Sequence, residues 1–391
     1  MKGLRIILFV LLGLPVFLRA QGTYRWAETC GKLPYLEFGP GDDRLGGAKM
    51  TYLDSLVSLR IEDSLDGDYI VRLSAQHRAF IPSELVRWKN RTDAPAAYRL
   101  SGSVRVWGDE RYDYVSIQLP DKLPYRSQML MHPAQIVVDV FGVTSNTNWV
   151  TQLGTAREIR NTWYEQPEDD VMRFHIELAH QAHWGYHIRY DSTGNRLLLR
   201  VKRQPASLDI RKLTIAVDAG HGGTNTGATG ATSGILEKDY CLRIARELEQ
   251  QLRKSGVRNV FMTRSKDTTL DMPDRILMLR EADPDLLISI HLNSSAKDTV
   301  QGTSVFYRYP GFQLLPEKVL NRMLELGLKE FGRVGHFNFA LSGPTEYPNC
   351  LVEVAFLSNP ADERRILDPK FHKAVARKIT EGIRDWLKQN K

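Results

Sequence analysis

His221 follows an apolar run within Asp218-Ala219-Gly220-His221-Gly222-Gly223, and His291 ends another within Ser289-Ile290-His291-Leu292-Asn293. Glu237 opens a helical stretch, where the helix dipole favours a carboxylate. Glu353 interrupts the apolar segment Leu351-Val352-Glu353-Val354-Ala355-Phe356. A carboxylate inside a buried strand is costly unless it is paired or faces a site. Two imidazoles and one carboxylate suit Zn²⁺ with an open fourth position for water, and a second carboxylate beside them suits a general base. Spacing by itself leaves open that each histidine is structural.

Competing readings of the same stretches fail on their spacing. The glycines from Gly220 to Gly230 lack the Gly-Lys-Ser/Thr ending of a phosphate loop, and Asn225 stands where a dinucleotide fingerprint needs its third glycine. His175, His180, His183 and His187 are closer together in sequence, but Glu177 is the one acid among them and no metal-site spacing connects them. They read as surface or hydrogen-bonded histidines.

The elements that must position these residues change character along the chain. From Tyr52 to about Lys202 short strands alternate with Gly, Asp, Asn and Pro turns, the texture of all-β modules. After Pro205 strands and helices alternate, which predicts an α/β domain with a mostly parallel sheet flanked by helices. Strands are expected at 213–217, 260–263, 286–291, 304–307 and 350–356. Helices are expected at 236–254, 273–282, 316–331 and 369–388. In an open sheet of this kind ligands bind at the carboxyl ends of strands, where both His221 and His291 fall.

Composition limits the partners. The formal charge of +7 includes Lys2, Arg5 and Arg19 of the N-terminal segment, so no strong basic field points to nucleic acid. Lys2 and Arg5 precede an apolar run from Ile6 to Phe17 that is too short for a stable span, and Ala20 precedes Gln21. This reads as a secretory signal peptide over residues 1–20, leaving no membrane span after cleavage. Cys30, Cys241 and Cys350 are odd in number and far apart, so no disulfide framework follows.

The motifs around His221, Glu237, Thr263-Arg264, His291 and Leu351-Val352-Glu353-Val354-Ala355-Phe356-Leu357-Ser358-Asn359-Pro360 resemble, in order, the zinc-dependent N-acetylmuramoyl-L-alanine amidases of the type-3 family. The resemblance implies His221, Glu237 and His291 as ligands of one Zn²⁺ and Glu353 as the catalytic carboxylate. It also implies hydrolysis of the amide between N-acetylmuramic acid and L-alanine in peptidoglycan. Asn293 and Arg264 are candidates to orient substrate or the loop. Leu292 departs from the small residue usual in the family and is expected to alter pocket shape. Upstream, Val104–Phe141 and Ile159–Val201 resemble a β-sandwich wall-targeting domain, and Gly67–Leu73 with Ala79–Pro82 resembles an SH3-like barrel.

The resulting expectation is a periplasmic or envelope-associated amidase acting in wall remodelling or cell division. Its parts are a signal peptide (1–20), a linker (21–48), an SH3-like barrel (49–92), a sandwich (98–204) and a catalytic domain (208–391). A zinc peptidase of the stem peptide and a wall-binding protein with an inactive amidase fold are the rivals. About eight residues separate the 304–307 strand from the next helix, too few for an inhibitory helix with its linkers, so no activator protein is expected.

Overall fold

The computed structural model describes residues 24–41, 46–90, 99–192 and 196–390. The signal-peptide segment lies outside the described residues. Strands from Arg25–Thr29 to Val86–Trp88 form a seven-stranded antiparallel sheet whose outermost strand on one side is Lys49–Tyr52. Arg25–Thr29 and Tyr35–Glu37, expected within a linker, are strands of this sheet. The linker reading fails there because Ala27 and Leu36 alternate into the core, a period that sequence reveals poorly in strands this short.

Two further sheets stack face to face. One has four strands, with Ala134–Phe141 and Val171–Leu178 at its centre; the other has five, with Val104–Gly108, Tyr112–Gln118 and Arg196–Lys202 side by side. Val171–Leu178 shows why: Met172, Phe174, Ile176 and Leu178 are buried while Arg173, His175 and Glu177 face outward. Strands Tyr125–Met131 and Tyr186–Tyr190 fall outside the expected strands: alternation is broken in the first at Ser127, and the second, though it alternates, is only five residues long.

The remaining residues form an α/β unit. Its strands are β1 (Thr214–Ala219), β2 (Asn259–Met262), β3 (Leu286–Asn293), β4 (Thr303–Phe306), β5 (Glu330–Val334) and β6 (Asn349–Phe356). Its helices are α1 (Glu237–Lys254), α2 (Met272–Ala282), α3 (Leu314–Leu324), α4 (Pro360–Leu367) and α5 (Pro369–Gln389). The sheet order is β2-β1-β3-β6-β4-β5. The first four are parallel, and β4 runs antiparallel to β6 with β5 parallel to β4.

Helices α1, α3 and α5 cover one face of this sheet, burying Cys241, Ile244, Leu248, Val319 and Ile379 against Ile288, Ile290 and Val352. On the opposite face α2 and the segment after β5 pack with Leu33 of the N-terminal sheet: Ile276, Leu279, Leu287, Leu341 and Tyr347 share that cluster. The helix expected over 316–331 ends at Leu324, because Gly327 adopts φ +72° and Glu330–Val334 pairs with β4 instead. Among the described residues no helix is long and apolar enough to cross a membrane.

Candidate active site

The chain enters the sheet at β1, crosses through α1 to β2 on one side, and returns through α2 to β3 on the other. The order reverses between β1 and β3, and a crevice opens there at the carboxyl ends of the strands. His221 leaves β1 and His291 lies near the end of β3. Glu353 sits directly across from His291 in the β3–β6 register.

His221 adopts φ +59°, a left-handed conformation that a non-glycine residue adopts at a cost. The turn is clamped from beneath. Arg264, 3% exposed, donates from Nε to the Ala219 carbonyl (2.9 Å) and from Nη2 to the carbonyls of Gly220 and Lys238 (2.7 Å each). Arg275 bonds the His221 carbonyl and pairs with Asp218 at 2.6 Å, both side chains being 1% exposed. Burial would raise the Asp218 carboxyl, but Arg275, Ser289 and Thr263 outweigh it and hold it below its ordinary value. Arg264 therefore lies under the loop rather than in the cleft, which corrects the substrate-contact alternative.

Glycine is required where ligand side chains approach the backbone. A Cβ on Gly220 would lie 2.4 Å from the His291 ring, and one on Gly227 would lie 2.5 Å from Glu237 Oε2. Glu237, 4% exposed at the first turn of α1, has Oε2 bonded by the Ala228 N–H (2.8 Å) and Oε1 by the Leu292 N–H (3.1 Å). His221 Nε2 and His291 Nδ1 lie 2.9 and 3.1 Å from that same Oε1. Ligand atoms of all three residues fall within 4.8 Å of one another.

The tautomer of His221 is decided by Asn225. Asn225 Oδ1 accepts from the Gly227 N–H (3.2 Å), so it also accepts from His221 Nδ1 at 2.9 Å. His221 Nε2 can then face the carboxylate in two ways: as a protonated imidazolium, or as a lone pair sharing a cation with it. Burial raises the Glu237 carboxyl, yet the two histidines outweigh burial and hold it well below the carboxylate range. Burial lowers His291, yet Glu237 outweighs it and holds the imidazole above its ordinary value. The site draws positive charge to one point, and one divalent metal ion would supply what two protons do.

A cleft of about 690 Å³ opens over these groups. His221, Glu237, His291, Asn293 and Glu353 line it, as do Leu292, Phe339, Leu341 and, from the N-terminal sheet, Lys49. The Phe339 ring lies parallel to His291, with centroids 6.2 Å apart and an interplanar angle of 12°. Sequence reasoning missed Asn225, Asp218, Arg275 and the Phe339 wall. In the sequence Asn225 stands out only as a mismatch to a dinucleotide fingerprint, and no pattern marks the wall because it lies on an irregular segment.

The four histidines between 175 and 187 each have a structural neighbour. His175 bonds Gln135 (3.2 Å), His180 bonds Glu158 (2.8 Å), His183 bonds the Leu130 carbonyl (2.8 Å), and His187 lies 3.8 Å from Glu346. Cys241 and Cys350 are buried free thiols and Cys30 is a half-buried one.

Three side chains that could hold a metal ion, with a neighbouring carboxylate, open to a cleft at the switch point of an α/β sheet, and these are the parts of a hydrolase. Residues 215–385 match the N-acetylmuramoyl-L-alanine amidase family model. The chain is 32% identical over 199 residues to the germination-specific N-acetylmuramoyl-L-alanine amidase of Bacillus subtilis, covering 46% of this chain and 82% of that protein. It is 30% identical over 183 residues to the probable cell wall amidase LytH of Staphylococcus epidermidis, covering 46% and 61% of the two chains. With the N-acetylmuramoyl-L-alanine amidase AmiC of Neisseria meningitidis the likeness is 25% over 373 residues, covering 73% and 89%. The chain belongs to the type-3 N-acetylmuramoyl-L-alanine amidase family and is a peptidoglycan amidase.

Proposed function

We propose that this chain is an exported, zinc-dependent enzyme that hydrolyses the amide between the lactyl group of N-acetylmuramic acid and L-alanine of the stem peptide. Its setting would be wall remodelling or daughter-cell separation. The observation that carries this reading is the convergence of His221, Glu237 and His291 within 4.8 Å, with Glu353 on the adjacent strand lining the same cleft. Two imidazoles and a carboxylate, each oriented by a second hydrogen bond or a close backbone contact, match the donor set of a catalytic zinc site.

When bound, Zn²⁺ polarises the scissile carbonyl and lowers the pKa of water. Glu353 takes the proton of the attacking water and returns it to the leaving amine of L-alanine. Asn293, at the end of β3, orients the substrate, while Arg264 and Arg275 hold the His221 turn. Residues 1–20 would direct export, the seven-stranded sheet running from Arg25 to Trp88 and the two stacked sheets between Val104 and Lys202 would engage the wall, and residues 208–391 would cut it. Residues 307–313 between β4 and α3 carry a single 3-10 turn, Pro310–Phe312, which supports activity without an activator protein. The test is His221→Ala. Stoichiometric zinc should be lost while the thermal transition persists, and full zinc occupancy in this variant would contradict the ligand assignment.

A further inference from the structure

The segment between β5 and β6 lines the cleft through Asn338, Phe339, Ala340 and Leu341, yet its one regular piece is the 3-10 turn Ala340–Ser342. Its two ends are tied within the α/β unit: the Phe337 N–H donates to the Tyr307 carbonyl (3.1 Å), and Tyr309 Oη donates to the Gly343 carbonyl (2.6 Å). The lining stretch between these ties reaches across to the N-terminal sheet. Asn338 Nδ2 donates to the Gly47 carbonyl (2.7 Å), and Asn338 Oδ1 accepts from the Lys49 N–H (3.2 Å). Arg308 Nη1 donates to the same Oδ1 at 3.0 Å, and Tyr52 Oη reaches the Ala340 carbonyl at 3.4 Å.

The Lys49–Tyr52 strand is the outermost of its sheet, so its outer N–H and C=O groups need partners. The Asn338 amide supplies a partner to the first N–H of that strand, at Lys49, and to the Gly47 carbonyl just before it. The adjacent residue, Phe339, then lies parallel to His291 and packs on Phe337 and Phe306, with centroids 4.5 and 5.6 Å away. Lys49 itself lines the cleft from the other side of the staple.

We propose that the N-terminal sheet is part of the substrate site. Through Asn338, a positioning residue, it fixes the Phe339–Leu341 wall against which the groups flanking the scissile amide bind. This rests on the cleft being the catalytic one, as proposed above. The wall presents apolar side chains, which suit the small methyl groups of the lactyl and alanyl units on either side of that amide.

The test uses the full chain with Asn338→Ala, and with Asn338→Asp, which keeps the acceptor for Lys49 and Arg308 but loses the donor to Gly47. On a soluble muropeptide, Asn338→Ala should raise KM about tenfold while kcat stays within about threefold, the signature of lost binding rather than lost chemistry. Asn338→Asp should fall between wild type and Asn338→Ala. Amide hydrogen exchange should accelerate at Lys49 and across 337–342, with zinc content unchanged. Unchanged exchange would show that the staple does not hold the loop, and faster exchange with unchanged KM would show that the loop is not a substrate wall; either overturns the proposal. A fall in kcat at constant KM would also overturn it. Wild-type protein that binds no zinc would refute the site reading instead, and the exchange measurement would still judge the staple.

Discussion

Glu353 combines near-complete burial in the central strand β6 with a place on the cleft wall, opposite His291. In the proposed reaction it carries the proton transfer, and His221, Glu237 and His291 hold the metal. Glu353→Gln should therefore keep zinc and thermal stability while losing about 10²- to 10⁴-fold in kcat, measured on purified wall with metal analysis of the same sample. A carboxylate needed for folding alone would instead lower the melting temperature. His221, His291 and Glu353 draw attention in the sequence because histidines at strand ends and a carboxylate in an apolar strand break their local setting, whereas Glu237 suits its helix start and joins them only through the motifs of the family. The roles of Asn225 and Asp218 were not legible there, since their partners His221 and Arg275 meet them through turns and long-range packing that no spacing rule encodes.

At the level of elements, the sheet matters because parallel β1, β3 and β6 end together, and because the β1 turn is held in a strained shape. Arg264 contributes through its planar fork, which reaches three carbonyls at once. Lysine keeps the charge but cannot satisfy them. Arg264→Lys should lower zinc affinity or activity about 10- to 100-fold, the usual cost of losing support behind a ligand, with the fold retained. Titration with a competing chelator alongside circular dichroism checks this. Unchanged affinity would mean that Arg275 and Asp218 suffice to hold His221. Strand and helix types in this half followed from periodicity wherever a segment buried one clear face, as α1 does through Cys241, Ile244, Ala245, Leu248 and Leu252. The overlong 316–331 helix arose because Glu330–Val334 carries too few apolar residues to signal a strand before its pairing with β4 is known.

The whole molecule joins three β-sheets to the catalytic unit through buried polar contacts, a feature the sequence did not reveal because no composition shift marks them. His187 lies at one such junction, beside a cavity lined by Met50, Tyr52, Tyr125, Arg280 and Glu346. Burial pushes its imidazole down to about 4, against the pull of Glu346 Oε1 3.8 Å away. The folded protein thus binds this proton only near pH 4, whereas the unfolded chain binds it near pH ~6.5. Stability from His187 is full above that higher value and is lost as pH falls toward 4, a swing of ~3 kcal/mol. His187→Gln should flatten that acid limb in urea titrations run from pH 7 to 4, and an unaltered slope would remove His187 from the account. Hydrolysis of the lactyl amide at the His221–Glu237–His291 site is read out by mass analysis of purified peptidoglycan digested with the whole chain of residues 1–391. The products expected are intact stem peptides beginning at L-alanine together with glycan strands stripped of peptide; shortened stems still attached to muramic acid would rule out this cleavage.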